Sequence, residues 1–233
     1  MSIKQLLFDG FLICRKLSAD KGGPVGITIL DHPVAKDAIT RLRDRATPPY
    51  EFRRQIRRLS YLLAFEATKD LATYKTNVAT PLSISPAEFL VRRQALIPVM
   101  RAGDGMIETF HCFLPEALIW HMYISRNEET FKPQFSGSNV PERIPSDVNT
   151  CFLLDPMLAT GGSASCAISH LKEHGAKKII FVGVIGCPQG AAKLEHEHPD
   201  VPVILAAMDD TLNDHAYIVP GLGDAGDRQY PTV

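Results

Sequence analysis

The sequence predicts an α/β chain built on a doubly wound, mostly parallel sheet with a small hairpin or hood appended, and three observations carry that prediction. From residue 96 onward, short apolar runs alternate with helical stretches, the rhythm of parallel strands joined by crossover helices. Residues 151–163 read CFLLDPMLATGGS, an apolar strand that passes an acid and a small-residue turn into a helix. Residues 73–82 alternate in strand fashion ahead of Thr80-Pro81, outside that rhythm, and predict a hairpin beside the main sheet.

Taken in chain order, residues 1–26 form an N-terminal extension closing on Lys-Gly-Gly-Pro at 21–24, a turn or linker signal, and 27–233 form one domain. Leu62, Leu63, Phe65 and Leu71 recur at helical spacing within YLLAFEATKDL. Strands are predicted at 96–100, 118–123, 151–154, 179–185 and 203–207, with helices at 105–114, 163–174 and 189–196. Sheets of this class bind ligands beyond the carboxyl ends of their strands. Arg101, Arg126 and Asp155 all fall just past predicted strands, on that edge.

Composition narrows the class. The chain has 233 residues, 45% of them hydrophobic, and a formal net charge of −1, enough for one core and no argument for nucleic acid or membrane. No apolar run approaches the roughly 20 residues of a membrane span. The stretch LLFDGFLIC is broken by Asp9 and lacks a small-residue cleavage site, which argues against a secretory signal. Five cysteines, at 14, 112, 151, 166 and 187, are odd in number and far apart, as expected of reduced thiols in a cytoplasmic protein.

The turn in CFLLDPMLATGGS has the makings of a phosphate cradle. Gly161 and Gly162 let the backbone curl with its N–H groups inward, and the helix behind adds unpaired donors and a positive dipole end. Thr160 and Ser163 add hydroxyls. No Lys follows the second glycine, so this is not the loop of nucleoside triphosphatases. Asp155 stands where an acid can hold sugar hydroxyls, which suits a 5-phosphosugar. Near the C-terminus, Gly221, Gly223 and Gly226 satisfy the dinucleotide pattern G-x-G-x-x-G, but no ribose-binding acid can follow about 20 residues later in this sequence. These glycines suit instead a rim that reads a small base through main-chain groups.

Other patterns have blander readings. Cys166, His170 and His174 lie four apart on one helix face, yet one helix rarely supplies a whole zinc site, so packing is expected. His196 and His198 read as solvated. Seven arginines between Arg41 and Arg58 suggest RNA phosphates, but interleaved Asp44 and Glu51 and the helical spacing favour an exposed helix or subunit contact.

DPMLATGGS closely resembles the phosphoribosyl-pyrophosphate (PRPP) motif of uracil phosphoribosyltransferases, and DHAYIVPGLGDAGDRQY at 214–230 resembles the uracil-binding stretch of that family. ILDHPVAKDAITRLRD, IPVMRAGDGM at 97–106 and RNEET at 126–130 extend the resemblance over about 27–233. It implies a fold of the PRPP-transferase type and conversion of uracil and PRPP to UMP and pyrophosphate in pyrimidine salvage. It implies PRPP binding by Arg101, Arg126, Asp155, Pro156, Met157, Leu158, Ala159, Thr160, Gly161, Gly162, Ser163 and Asp224. Uracil falls to Ile218, Gly223, Asp224 and Ala225, and Asp224, Arg126 and Arg101 are the expected catalytic residues. No protein-held metal is expected; Mg²⁺ enters with PRPP, and some members of the family are activated by GTP and assemble as homodimers or tetramers. The stretch that follows RNEET, from residue 131 to about Ile144, is polar and rich in Pro, Gly and Ser, a candidate flap over the reaction. Two rival readings on the same fold are an RNA-binding attenuator of pyrimidine genes and a catalytically idle scaffold. Three features depart from the family: Asp104, expected to place negative charge near pyrophosphate where many bacterial members are apolar; Pro231, in place of a usual glycine; and the N-terminal extension.

Overall fold

The computed structural model describes residues 26–91, 93–127 and 133–232. Residues 1–25, which hold most of the predicted extension and its Lys-Gly-Gly-Pro turn, lie outside the described residues.

The chain opens with strand β1 (Ile27–Ile29) and two helices, α1 (Pro33–Arg43) and α2 (Pro49–Thr68). Each helix carries Pro at its first position, where the absent N–H costs nothing. In α2, Phe52, Ile56, Leu59 and Leu63 recur at helical spacing and are fully buried. Phe65 points outward at 68% exposure and Leu71 lies past the helix end, so the predicted apolar face is correct only in part.

A hairpin of β2 (Thr73–Ala79) and β3 (Ile84–Leu90) follows and pairs only with itself, as its place outside the strand–helix rhythm predicts. The chain then enters the sheet through β4 (Arg93–Met100) and α3 (Asp104–Phe113). The predicted strand 118–123 is two pieces, β5 (Leu118–Ile119) and β6 (Met122–Arg126). The break falls where the Trp120 N–H bonds back to Leu96 and the His121 N–H donates to the Asn139 side chain.

Part of the expected flap is itself a strand. β7 (Pro133–Ser138) pairs antiparallel with β6, and Val140 and Ile144 beyond it are buried. Its polar residues are compatible with an edge strand, which needs only one apolar face. The start of the flap, residues 131–132, lies outside the described residues.

The remaining elements are β8 (Val148–Leu154), β9 (Met157–Leu158), α4 (Gly162–Glu173), β10 (Ile179–Gly186), α5 (Pro188–Glu197) and β11 (Val203–Met208). A two-stranded piece, β12 (Thr211–Leu212) with β13 (Ile218–Val219), leads to the five-residue helix α6 (Ala225–Gln229). The main sheet runs β1-β11-β10-β8-β4-β6-β7, and all its pairings are parallel except β6–β7.

Alternate residues of each central strand feed opposite cores, the consequence of a period-two side-chain pattern. Leu96, Phe152, Leu154 and Val182 pack on the side covered by α1, α2 and α3. Ile97, Leu153, Phe181 and Leu205 pack on the side covered by α4 and α5. From β4 the chain winds outward through β6 and β7, then returns to place β8 on the other flank of β4. That reversal makes the β4–β8 boundary the switch point, where such sheets bind ligands. No helix among the described residues is long and apolar enough to cross a membrane.

Candidate active site

Asp155 directly follows β8, and Arg101 directly follows β4, so both stand at the carboxyl ends of the strands that flank the switch point. Asp155 is buried, and its Oδ1 accepts the Met157 N–H at 3.1 Å. Burial pushes its carboxyl up to about 7; the Met157 N–H opposes that rise and the nearby Asp224 carboxylate adds to it. Asp224, 69 positions on, is thus near enough for its charge to bear on Asp155.

The loop after Asp155 is built almost entirely from main chain. Met157 and Leu158 form β9 against β10, in register with Ile185 and Gly186. Pro156 is buried, and its carbonyl accepts the N–H groups of Val184 and Ile185, both at 2.9 Å. Thr160 Oγ1 accepts the Gly162 N–H at 3.3 Å, and Gly161 caps α4 with φ +76°. Beneath the loop, the Cys187 thiol donates to the Ala159 carbonyl at 2.9 Å. Gly190 presses so close that a Cβ there would lie 2.4 Å from the Ala159 oxygen. Ser163 is the second residue of α4, whose first N–H groups face the same end of the sheet.

The loop from Ile218 to Gln229 is held differently. Ile218 and Ala225 are buried, while Gly223 and Asp224 are exposed. Asp224 caps α6 by accepting the Asp227 N–H at 2.9 Å. Arg101 reaches this loop, donating to Asp227 Oδ1 at 2.7 Å and to the Tyr230 carbonyl at 3.3 Å. Gln229, fully buried, donates to the Ala102 and Ala225 carbonyls at 3.0 Å each. Arg126 ends β6; its side chain lies outside the described residues.

The structure also brings in residues that the sequence did not mark. Arg43 and Asp209 make a two-pronged ion pair at 2.5 and 2.6 Å. Burial works to raise the Asp209 pKa, but the Arg43 guanidinium and the Gly221 N–H hold it below the usual carboxylate range. Arg228 bonds the Leu42, Asp44 and Leu222 carbonyls and lies 4.4 Å over the Phe52 ring. The signal for these contacts existed only as an arginine-rich stretch.

That stretch, expected to be an exposed helix or subunit contact, is exposed at Arg41, Arg45, Arg54 and Arg57, as the first alternative has it, and turns inward at Arg43 and Arg53. Arg43 and Arg53 reach Asp209 and the Gln229 carbonyl, while Arg41, Arg54, Arg57 and Arg58 pair with Asp37, Glu51, Glu108 and Asp37. Asp104 does not turn toward Asp155; it accepts from the Tyr230 hydroxyl at 3.2 Å. A cavity of about 320 Å³ lies on that side, between Arg53, Arg57, Glu108, His111 and Tyr230. Neither loop lines it, and the convergence of the loops, not this cavity, defines the site.

His170, His174 and His198 make packing and hydrogen-bond contacts within the fold. His170 stacks on Phe135 and His174, with centroids 4.6 and 4.1 Å apart, and meets Ser138 Oγ at 3.0 Å. Among the described residues no group of three or more His, Cys, Asp or Glu could hold a metal. His196 is exposed, but His198, expected to be solvated, is 7% exposed and 3.1 Å from Ser165 Oγ. The turn after α5 folds it back into the seam with α4.

The model of the uracil phosphoribosyltransferase family matches residues 29–232. A uracil phosphoribosyltransferase of Roseiflexus sp. (strain RS-1) is 46% identical over 206 residues, covering 88% of this chain and 98% of that protein. The enzyme of the same name from Salinibacter ruber is 43% identical over 206 residues, covering 88% and 97%. Among solved structures, the AQ2163 protein from Aquifex aeolicus superposes with a TM-score of 0.83 at 32% identity, over 89% of this chain and 99% of that one. With both signature loops intact and matched along nearly their whole length of chain, the protein belongs to the uracil phosphoribosyltransferase family.

Proposed function

We propose that the chain transfers the 5-phosphoribosyl group of PRPP to N1 of uracil, giving UMP and pyrophosphate in pyrimidine salvage. The observation that supports this reading is the reach of Arg101, from the end of β4 beside the switch point, to Asp227 and the Tyr230 carbonyl, which ties the 218–229 loop to the strand ends where the 155–163 loop begins.

In this reading the main chain of Met157, Leu158, Ala159 and Gly161–Gly162, with the Thr160 and Ser163 hydroxyls, receives the 5-phosphate. Asp155, set by buried Pro156, holds the ribose hydroxyls. Arg101 and Arg126 offset the pyrophosphate charge as the C1–O bond breaks. Ile218, Gly223 and Ala225 read uracil through main-chain groups, and Asp224 orients the base so that the N1–C1 bond forms. Positioning and charge supply the rate enhancement without a covalent intermediate. Mg²⁺ is part of the substrate, carried on the phosphates of PRPP, where this ion retains its waters. A cation-bearing substrate would also offset the Asp224 charge that bears on Asp155.

The same reading places the protein in the cytoplasm, with Cys112, Cys151, Cys166 and Cys187 as free thiols. It makes the assembly a homodimer or tetramer, for which the exposed apolar residues Tyr74, Leu82, Ile84 and Phe89 of the hairpin offer a surface. GTP is assigned as an activator on family grounds.

The test is PRPP-dependent conversion of labelled uracil, cytosine, hypoxanthine and orotate with Mg²⁺, with and without GTP, alongside light scattering for the assembly. UMP from uracil alone is expected; absence of product from folded protein would refute the reading. The Asp224→Asn variant keeps an oxygen for the α6 cap and so retains its fold, while turnover falls about 100-fold. Near-normal turnover in that variant removes Asp224 from the mechanism.

A further inference from the structure

The base loop is pinned at one residue, Gly221, by two side chains that come from opposite ends of the chain. Asp209 directly follows β11, and its side chain is 4% exposed. Arg43 reaches it from the last turn of α1, with its side chain 28% exposed. Both polar groups of Gly221 are engaged by this pair. Its N–H donates to Asp209 Oδ2 at 2.7 Å, and its C=O accepts from Arg43 Nη1 at 3.0 Å.

Gly221 has φ +64°, and a Cβ there would lie 2.0 Å from the Ile218 oxygen. The turn is therefore closed against Ile218, and only glycine fits it. With both polar groups bound, the peptide planes on either side of Gly221 cannot rotate. Ile218 on one side and Gly223 on the other inherit fixed orientations. Arg228 braces the same seam in reverse, running from the base loop to the Leu42 and Asp44 carbonyls at the end of α1.

We infer that Arg43 and Asp209 are positioning residues that set the affinity for the pyrimidine base, acting through Gly221 without touching either substrate. The inference rests on the reading of 218–225 as the base-binding loop. Main-chain recognition has no side-chain rotamers to adjust, so its strength depends on how well the backbone is ordered before the base arrives. Apolar side chains of similar volume often stabilise a fold as well as a buried ion pair does. The value of this pair lies in the planar fork of the guanidinium, which meets a carboxylate and a carbonyl at once.

Arg43→Lys keeps the charge and loses the fork, and Asp209→Asn keeps an acceptor and loses the charge. Each is measured by steady-state kinetics with uracil and PRPP varied separately, and by thermal melting. The expected result is a KM for uracil raised about tenfold, with the KM for PRPP unchanged within about twofold. Arg41→Ala, which removes an exposed pair with Asp37, leaves both constants unchanged. Faster amide exchange at Gly221 and Leu222 in the Lys variant, with exchange in β10 unaltered, is the structural counterpart. An unchanged KM for uracil in folded variants overturns the inference. So does a parallel rise in both KM values that follows the loss of melting temperature. Failure of the wild-type chain to convert uracil refutes the functional reading instead, and is seen before any variant is made.

Discussion

Two loops form the proposed site, and they are held in place by opposite means. The 155–163 loop is fixed by main chain: it pairs with β10, receives the N–H groups of Val184 and Ile185, and rests on the bare backbone of Gly190. The 218–229 loop is fixed by side chains, with Arg43, Asp209, Arg53, Arg228 and Gln229 spanning its distance to the rest of the fold. A phosphate is met by many equivalent N–H donors, so a loop continuous with the sheet can be rigid and generic. A base must be distinguished from its analogues, so its loop is aimed by directional bonds from elsewhere. This division has a practical consequence: the first loop fails through steric intrusion, the second through loss of single polar groups.

The largest expected effect comes from breaking the first loop from below. Gly190→Ala puts a methyl group 2.4 Å from the Ala159 oxygen and 2.9 Å from the Leu158 oxygen, both main-chain atoms that cannot swing aside. The loop must rise away from α5. Overpacking of this kind costs about 1–3 kcal/mol of stability. The displaced cradle loses most of its affinity for PRPP, read by calorimetry as a drop of at least about tenfold. Retained affinity at normal stability would show that the loop is not set by this contact.

A middle-sized effect separates stability from function within the first loop. Asp155 has its pKa raised to about 7 in the fold, first by burial, against an ordinary value of 3.8. Between those values the folded chain binds more protons than the unfolded one, so stability falls as pH rises from about 4 to about 7 and levels off above. Asp155→Asn removes the buried charge. The variant is expected to melt several degrees higher than wild type at pH 8, with the gap closing toward pH 4, while PRPP turnover is lost. A pH-independent difference in melting temperature would mean that Asp155 is ionised at no such cost.

The same contrast governs what could be seen in the sequence. The outline of the first loop was legible, because strand, acid, turn and helix are written as one contiguous string, although the short strand β9 within it was not. The hairpin and the central strands were legible for a related reason, since local alternation determines both. The braces of the second loop were not. Arg43 and Asp209 are 166 positions apart, and nothing local couples an arginine in a basic stretch to an aspartate after a strand. His198 escaped for the same reason, as its burial depends on how α5 meets α4. The break at 120–121 and the pairing of β7 likewise come from long-range bonds.

The smallest expected effect lies at the margin of the second loop and marks where its bracing ends. The Tyr230 hydroxyl donates to Asp104 Oδ2 at 3.2 Å, and burial, followed by the Asp104 charge, pushes the phenol up to about 12. The hydroxyl is thus a donor at any ordinary pH. Asp104 opens α3, where the helix dipole already favours an acid, and it is only half-buried, so water can replace the phenol. Tyr230→Phe should therefore lose about 0.5–1.5 kcal/mol. Arg101 bonds the main-chain carbonyl of Tyr230, which the substitution leaves in place. Both KM values should stay at wild-type levels while the melting temperature falls by a few degrees. A selective rise in the KM for uracil would extend the braced region to Asp104 and give this acid a share in aiming the base loop.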